Sequence, residues 1–143
     1  MERTLHMQLY RAFHAQRSYL RPHLTELGLG PGQPKFLGYL LRNGPCTQKD
    51  LAAYFEVDPA AVSRMLDALE RGGFLTRQAR EKDRRAGQVQ LTAKGEAAYL
   101  AWQEGCRQME QVMLQGFTQQ EREQFSDYLA RAYQNIRTQR ERG

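Results

Sequence analysis

Between positions 71 and 85 the chain carries six basic side chains, Arg71, Arg77, Arg80, Lys82, Arg84 and Arg85, against two acids, Glu81 and Asp83. Guanidinium groups are permanently charged, weakly hydrated and fork-shaped, which suits them to phosphate and to a narrow, electronegative minor groove. A short distance upstream, Ser63 can donate to a phosphate and Arg64 can fork onto phosphate or the edge of a guanine. A solvated loop and a solvated helix face with an Arg64–Asp67 pair would produce the same residue types without a ligand. The other reactive residues form no recognisable set. His6, His14 and His23 are eight and nine residues apart, and no His-x-x-x-His or Cys-x-x-Cys pair is present, so no metal site is expected. Gly28-Leu29-Gly30-Pro31-Gly32 follows no strand and lacks the rest of a nucleotide loop, and Gly-x-Ser-x-Gly and His-Glu-x-x-His are absent. Neither a catalytic residue nor a cofactor is expected.

The composition agrees with an anionic partner. Of 143 residues, 41% are apolar and 26% charged, as in an ordinary globular domain, and the net charge is +5. Seventeen of the 21 basic residues are arginine, while the region from 91 onward is neutral, with seven residues of each sign. The basic surplus therefore lies in the first two thirds, and the mass of 16.6 kDa predicts a single domain over 1–143. No run nears ~18 apolar residues and the first residues do not resemble a secretory signal, which predicts a cytoplasmic protein with no membrane partner. Two cysteines, Cys46 and Cys106, are too few for a disulfide framework, and buried packing is the expectation for both.

Local signals then order the elements. Leu5, Leu9, Phe13, Leu20 and Leu24 share one helical face, and Pro22 predicts a bend or a fresh start within it. Pro34 opens a short helix to Arg42. Thr47 with Asp50 has capping-box spacing for a helix from about Gln48 to Phe55, and Asp58-Pro59 opens another with the stripe Val62, Leu66, Leu69, stopped at Gly72-Gly73. Two short capped helices joined by a tight turn are the layout of a helix-turn-helix. Phe74–Arg77 and Gln88–Leu91 read as two strands around a polar loop, Gln78–Gly87. Thr92 caps a long helix ending at Gly116, and Thr118 with Glu121 caps a last one carrying Phe125, Leu129, Tyr133 and Ile136.

The fold class is therefore mainly α with a small two-stranded β wing. Thr47–Ala52, Val62–Leu75, Asp83-Arg84-Arg85 and Leu91-Thr92-Ala93-Lys94-Gly95 resemble the MarR family of winged helix-turn-helix transcriptional regulators, densely over residues 29–100. The resemblance implies a homodimer joined through 1–28 and 92–143, with a DNA-binding lobe at 34–91 and a pseudo-palindromic site on double-stranded DNA. It implies repression relieved by a ligand. DNA contacts are expected at Thr47, Gln48, Ala60, Ser63, Arg64, Arg80, Lys82, Asp83, Arg84 and Arg85, with Ser63, Arg64, Asp83, Arg84 and Arg85 matched to the family's positions. Among these, Arg85 matches the wing-tip arginine and Asp83 the acid that braces it. Phe13, His14, Arg17 and Tyr39 would line a crevice for a small aromatic effector. The alternatives are a winged helix used as a protein–protein module and a DNA-binding accessory factor without an effector.

Overall fold

Every helix expected from a cap or a stripe is present in the computed structural model, which describes residues 4–80 and 83–142, with backbone alone for 79, 80 and 83–86. The order is α1 (Leu5–Leu27), α2 (Pro34–Asn43), β1 (Cys46–Thr47), α3 (Gln48–Phe55), α4 (Pro59–Arg71), β2 (Leu75–Arg80), β3 (Asp83–Leu91), α5 (Ala93–Met113) and α6 (Gln119–Arg142). Packing divides the chain into two compact units, Met1–Met109 and Glu110–Gly143.

In the first unit α1 passes through Pro22 as one assigned helix, where the sequence predicts a bend or a new segment. The proline removes one backbone donor, but tertiary anchors lie on both sides of it. Leu20 and Leu24 are buried, and the His23 ring stacks on Trp102 at 5.9 Å while its Nε2 lies 2.8 Å from the Ala101 carbonyl oxygen. Helices α2, α3 and α4 enclose a core in which Phe36, Leu37, Leu51, Val62, Leu66 and Leu69 are fully buried, closed beneath by Phe74, Leu75 and Val89.

The sheet is larger than the sequence predicts. Three antiparallel strands run in the order β1-β3-β2, with Leu75 opposite Leu91 and Cys46 opposite Val89. The polar stretch 78–87, read from sequence as a loop, is mostly strand, pairing down to Arg80 opposite Asp83 with an irregularity between Gln78 and Arg80. Ladder bonds join backbones, so a hairpin rooted in the core by Leu75 and Val89 continues through residues that show no apolar alternation. The root is further pinned where the Thr92 backbone N–H donates to the Phe74 carbonyl at 3.2 Å.

In the second unit the end of α5 turns at Leu114–Gly116, so the helix stops three residues before the predicted glycine. Arg122 Nη2 donates to the Leu114 carbonyl at 3.3 Å, and the rings of Phe117 and Phe125 meet edge to face at 6.0 Å. Thr118 and Glu121 complete the expected capping box, at 3.1 and 2.8 Å. Helix α6 buries none of its side chains within the chain. Among the described residues no helix is long and apolar enough to cross a membrane.

Candidate nucleic-acid interface

Helix α3 begins on a reciprocal cap: the Asp50 N–H donates to Thr47 Oγ1 at 3.1 Å and the Thr47 N–H donates to Asp50 Oδ2 at 3.0 Å. It ends at Glu56, whose φ of 53° is the left-handed conformation that turns the chain toward α4. A side chain there costs about 1 kcal/mol relative to glycine. Helix α4 then starts on Asp58, whose Oδ2 accepts the Ala61 N–H at 3.2 Å, with Pro59 in the first turn. Because Val62, Leu66 and Leu69 are wholly buried, the rotation of α4 is fixed. Ala60 and Arg64 are exposed, as the stripe predicts, whereas Ser63 and Asp67, expected outward with them, are half-buried.

Asp67 does not take up the local pairing with Arg64 that its spacing allows. It bonds the Arg77 guanidinium of β2, and Arg77 also reaches Glu70 and Gln48. Burial opposes the charge on Arg77, yet hydrogen bonds and charges from Asp67 and Glu70 outweigh it and raise its pKa above the ordinary arginine value. Gln48, placed by the sequence among the DNA contacts, is buried at 8% exposure with its amide oxygen 2.9 Å from Arg77 Nη1. The sequence shows Arg77 only as one of the basic run and gives it no role of its own. Its signal was two acids, Asp67 and Glu70, one turn apart on a helix otherwise suited to an anion.

Lys94 was also missed. Its Nζ donates to the Gly72 carbonyl at 2.6 Å and lies 4.7 Å from the Phe74 ring centroid, while Thr92 Oγ1 donates to the Gly73 carbonyl at 2.7 Å. A cation on the last carbonyls of a helix satisfies them and matches the helix dipole. The end of α4 is thus fastened to the start of α5. Gly95 sits so close to this joint that a Cβ would lie 2.0 Å from the Phe74 carbonyl oxygen.

Lys82 lies outside the described residues, as do the side chains of Arg80, Asp83, Arg84 and Arg85; the backbone of Arg80 closes β2, and those of Asp83, Arg84 and Arg85 open β3. Of the residues expected to meet an effector, Phe13 and His14 are exposed on α1, and Arg17 lies 5.7 Å over the Phe13 ring. Tyr39 packs elsewhere, against Tyr54 at 4.9 Å and Phe55 at 6.0 Å. Desolvation, then Cys46, Asp50 and Tyr54, raise the pKa of its phenol, which is therefore neutral near pH 7. Of the two cysteines expected to be buried, Cys46 is and Cys106 is only half-buried; burial and then Asp50 push the Cys46 thiol up to about 11, so it is not a nucleophile at neutral pH. Among the described residues no group of three or more His, Cys, Asp or Glu could hold a metal ion.

A capped helix-turn-helix, an antiparallel hairpin rooted against its second helix, and an outward Arg64 define a winged helix-turn-helix DNA-binding protein. The sequence profile of the MarR family matches residues 31–86. The uncharacterized HTH-type transcriptional regulator YybA of Bacillus subtilis (strain 168) is 30% identical over 78% of this chain and 74% of its own length. Another curated helix-turn-helix regulator is matched over only 56% of its length. The crystal structure of MarR superposes with a TM-score of 0.86 at 26% identity, covering 100% of this chain and 99% of that one. The fold is also that of the S. aureus MepR–DNA complex, with a TM-score of 0.82 at 24% identity over 94% and 99% of the two chains. The chain belongs to the MarR family of DNA-binding transcriptional regulators.

Proposed function

We propose that the chain works as a homodimeric repressor on a pseudo-palindromic operator, released by a small anionic aromatic compound. The observation that carries the reading is the setting of α4: three fully buried residues fix its rotation and turn Ala60 and Arg64 outward, beside the root of an arginine-rich hairpin. Residues 34–91 serve as the DNA-binding lobe. Ala60 allows close approach, while Ser63 and Arg64 enter the major groove and Thr47 adds a backbone contact. The wing supplies Arg80, Lys82, Arg84 and Arg85 to phosphate and minor groove, with Asp83 bracing Arg85. The like fold of MepR, solved with DNA, supports this assignment.

Residues 1–28 and 92–143 supply the dimer contacts. Leu5, Leu9, Tyr10 and Phe13 on α1 are more than half exposed, and Leu129, Tyr133 and Ile136 on α6 are 47–63% exposed, which is more apolar surface than a monomer ordinarily leaves in water. Light scattering should give twice the 16.6 kDa chain mass, and a folded monomer at micromolar concentration would refute the dimer. Footprinting should show half-sites centred about 10–10.5 base pairs, or a multiple, apart. The affinity should fall with salt at a log–log slope of roughly 0.9 per neutralised phosphate. Salt-independent binding or one asymmetric half-site would contradict the reading. Phe13, His14 and Arg17 on α1 offer rings and a cation for the effector, so a phenolic acid that stabilises the protein should weaken operator binding. A stabilising acid without that effect would exclude coupling.

A further inference from the structure

Arg77 leaves β2 at the root of the wing and is only 11% exposed at its side chain. Its guanidinium serves two other elements at once. Nη2 bonds Asp67 Oδ1 and lies 3.0 Å from Glu70 Oε1, Nε lies 3.3 Å from the same oxygen, and Nη1 lies 2.9 Å from Gln48 Oε1. The Arg77 backbone N–H donates to the other Glu70 oxygen at 3.1 Å. Both oxygens of Glu70 are therefore engaged by one residue, through its main chain and its side chain. The strand is registered against α4 by Glu70 and Asp67, and both are tied to α3 through Gln48.

We propose that Arg77 is a positioning residue for DNA recognition: without touching DNA, its guanidinium sets the wing against α4 and holds Asp67 away from Arg64. The proposal rests on the DNA-binding reading above and adds the source of its selectivity. A hairpin joined to its lobe by ladder bonds alone can rock about its root, and reading bases with α4 while the wing reaches the neighbouring groove requires both in one fixed relation. The planar guanidinium spreads its five donors over three nitrogens and meets acceptors from two elements together, whereas a lysine ammonium gathers its three donors at a single nitrogen and does not span them. The charges matter equally. Asp67 lies one turn beyond Arg64 on α4, where its carboxylate would repel phosphate and compete for Arg64; the bond to Arg77 draws it toward the strand and offsets its charge.

The test compares Arg77→Lys with wild type in the full chain, after thermal melting shows that both fold. Affinities for a selected operator and for random duplex are measured across a salt series, and amide hydrogen exchange is followed without DNA. Arg77→Lys should bind the operator at least tenfold more weakly, with random-duplex affinity and salt slope unchanged and with faster exchange confined to β2 and β3. Gln48→Met, which removes one acceptor and keeps the volume, should give the same pattern at smaller amplitude and covers the case in which Arg77→Lys does not fold. An unchanged ratio of operator to random affinity in a folded variant overturns the proposal. A folded Arg77→Lys protein that keeps most of the operator affinity overturns it too, because a phosphate contact is one that lysine can replace. A wild-type protein without operator preference would refute the DNA-binding reading instead; unaltered exchange in β2 and β3 of the variants would separately refute the clamp.

Discussion

Gly95→Ala should lower the stability of the protein by about 3 kcal/mol or more, a fall in melting temperature of the order of 10 °C, because overpacking against an immovable neighbour lies at the upper end of its usual cost. The new Cβ would meet the Phe74 carbonyl oxygen at 2.0 Å and Leu91 Cδ1 at 2.7 Å. The leucine can change rotamer. The carbonyl cannot retreat, since it accepts the Thr92 N–H, and the adjoining carbonyls of Gly72 and Gly73 are held by Lys94 and Thr92. Relief would pull α5 from the end of α4 and break those bonds together. Gly105→Ala is the control. Its Cβ would face the His23 ring at 2.2 Å, a side chain that can rotate at the loss of its Ala101 bond, so the expected loss is smaller, about 1–2 kcal/mol. Thermal unfolding of the two variants decides the matter; a Gly95→Ala protein melting within a degree or two of wild type would show that the joint yields.

Arg64→Ala should cost about 1–3 kcal/mol of operator affinity in each half-site, while melting stays within a degree or two of wild type. The asymmetry follows from position. Arg64 is exposed on α4, one residue beyond the half-buried Ser63 and two beyond the buried Val62, so its removal takes no contact from the core. The companion Arg64→Lys separates the ways in which the side chain can act. If Arg64 forks onto guanine, lysine restores little and the loss is confined to operators carrying that base. If it meets phosphate, lysine restores most of the binding, and alanine weakens operator and random duplex alike. Titrations against an operator and its base-substituted variants give the result, and unchanged affinity in Arg64→Ala would take α4 out of the interface.

What the sequence disclosed was whatever is decided within a few residues. The boxes at Thr47 and Thr118 and the cap at Asp58 are local bargains between a side chain and its own backbone, and they stand where their spacing puts them. The stripe Val62, Leu66, Leu69 gave the inward face of α4, and with it the outward Arg64. Strand extent was harder, because Val89 and Leu91 alternate only at the root, and β1 is two residues long and exists only through its pairing with β3. Pro22 misled because its effect on a helix depends on packing; His23, beside it, stacks on Trp102 from a position far along the chain. The inward turn of Gln48 was hidden for the same reason: no local pattern pairs it with Arg77, twenty-nine residues away.

The pinned root of the wing also bears on how such a protein can change over generations. With Leu75 facing Leu91 and Thr92 bonded to Phe74, the chain leaves the lobe and returns to it at one place. Whatever lies between Gln78 and Gln88 is an excursion with a closed base, so a change of length there alters the outer ladder of the hairpin and leaves its root in place. Insertions, deletions and charge changes there can accumulate without disturbing the buried residues that set α4. The hairpin is therefore an exchangeable cassette: new target preferences can be acquired at its far end, by drift or by grafting from a relative, while Arg77 and Val89 keep the socket the same.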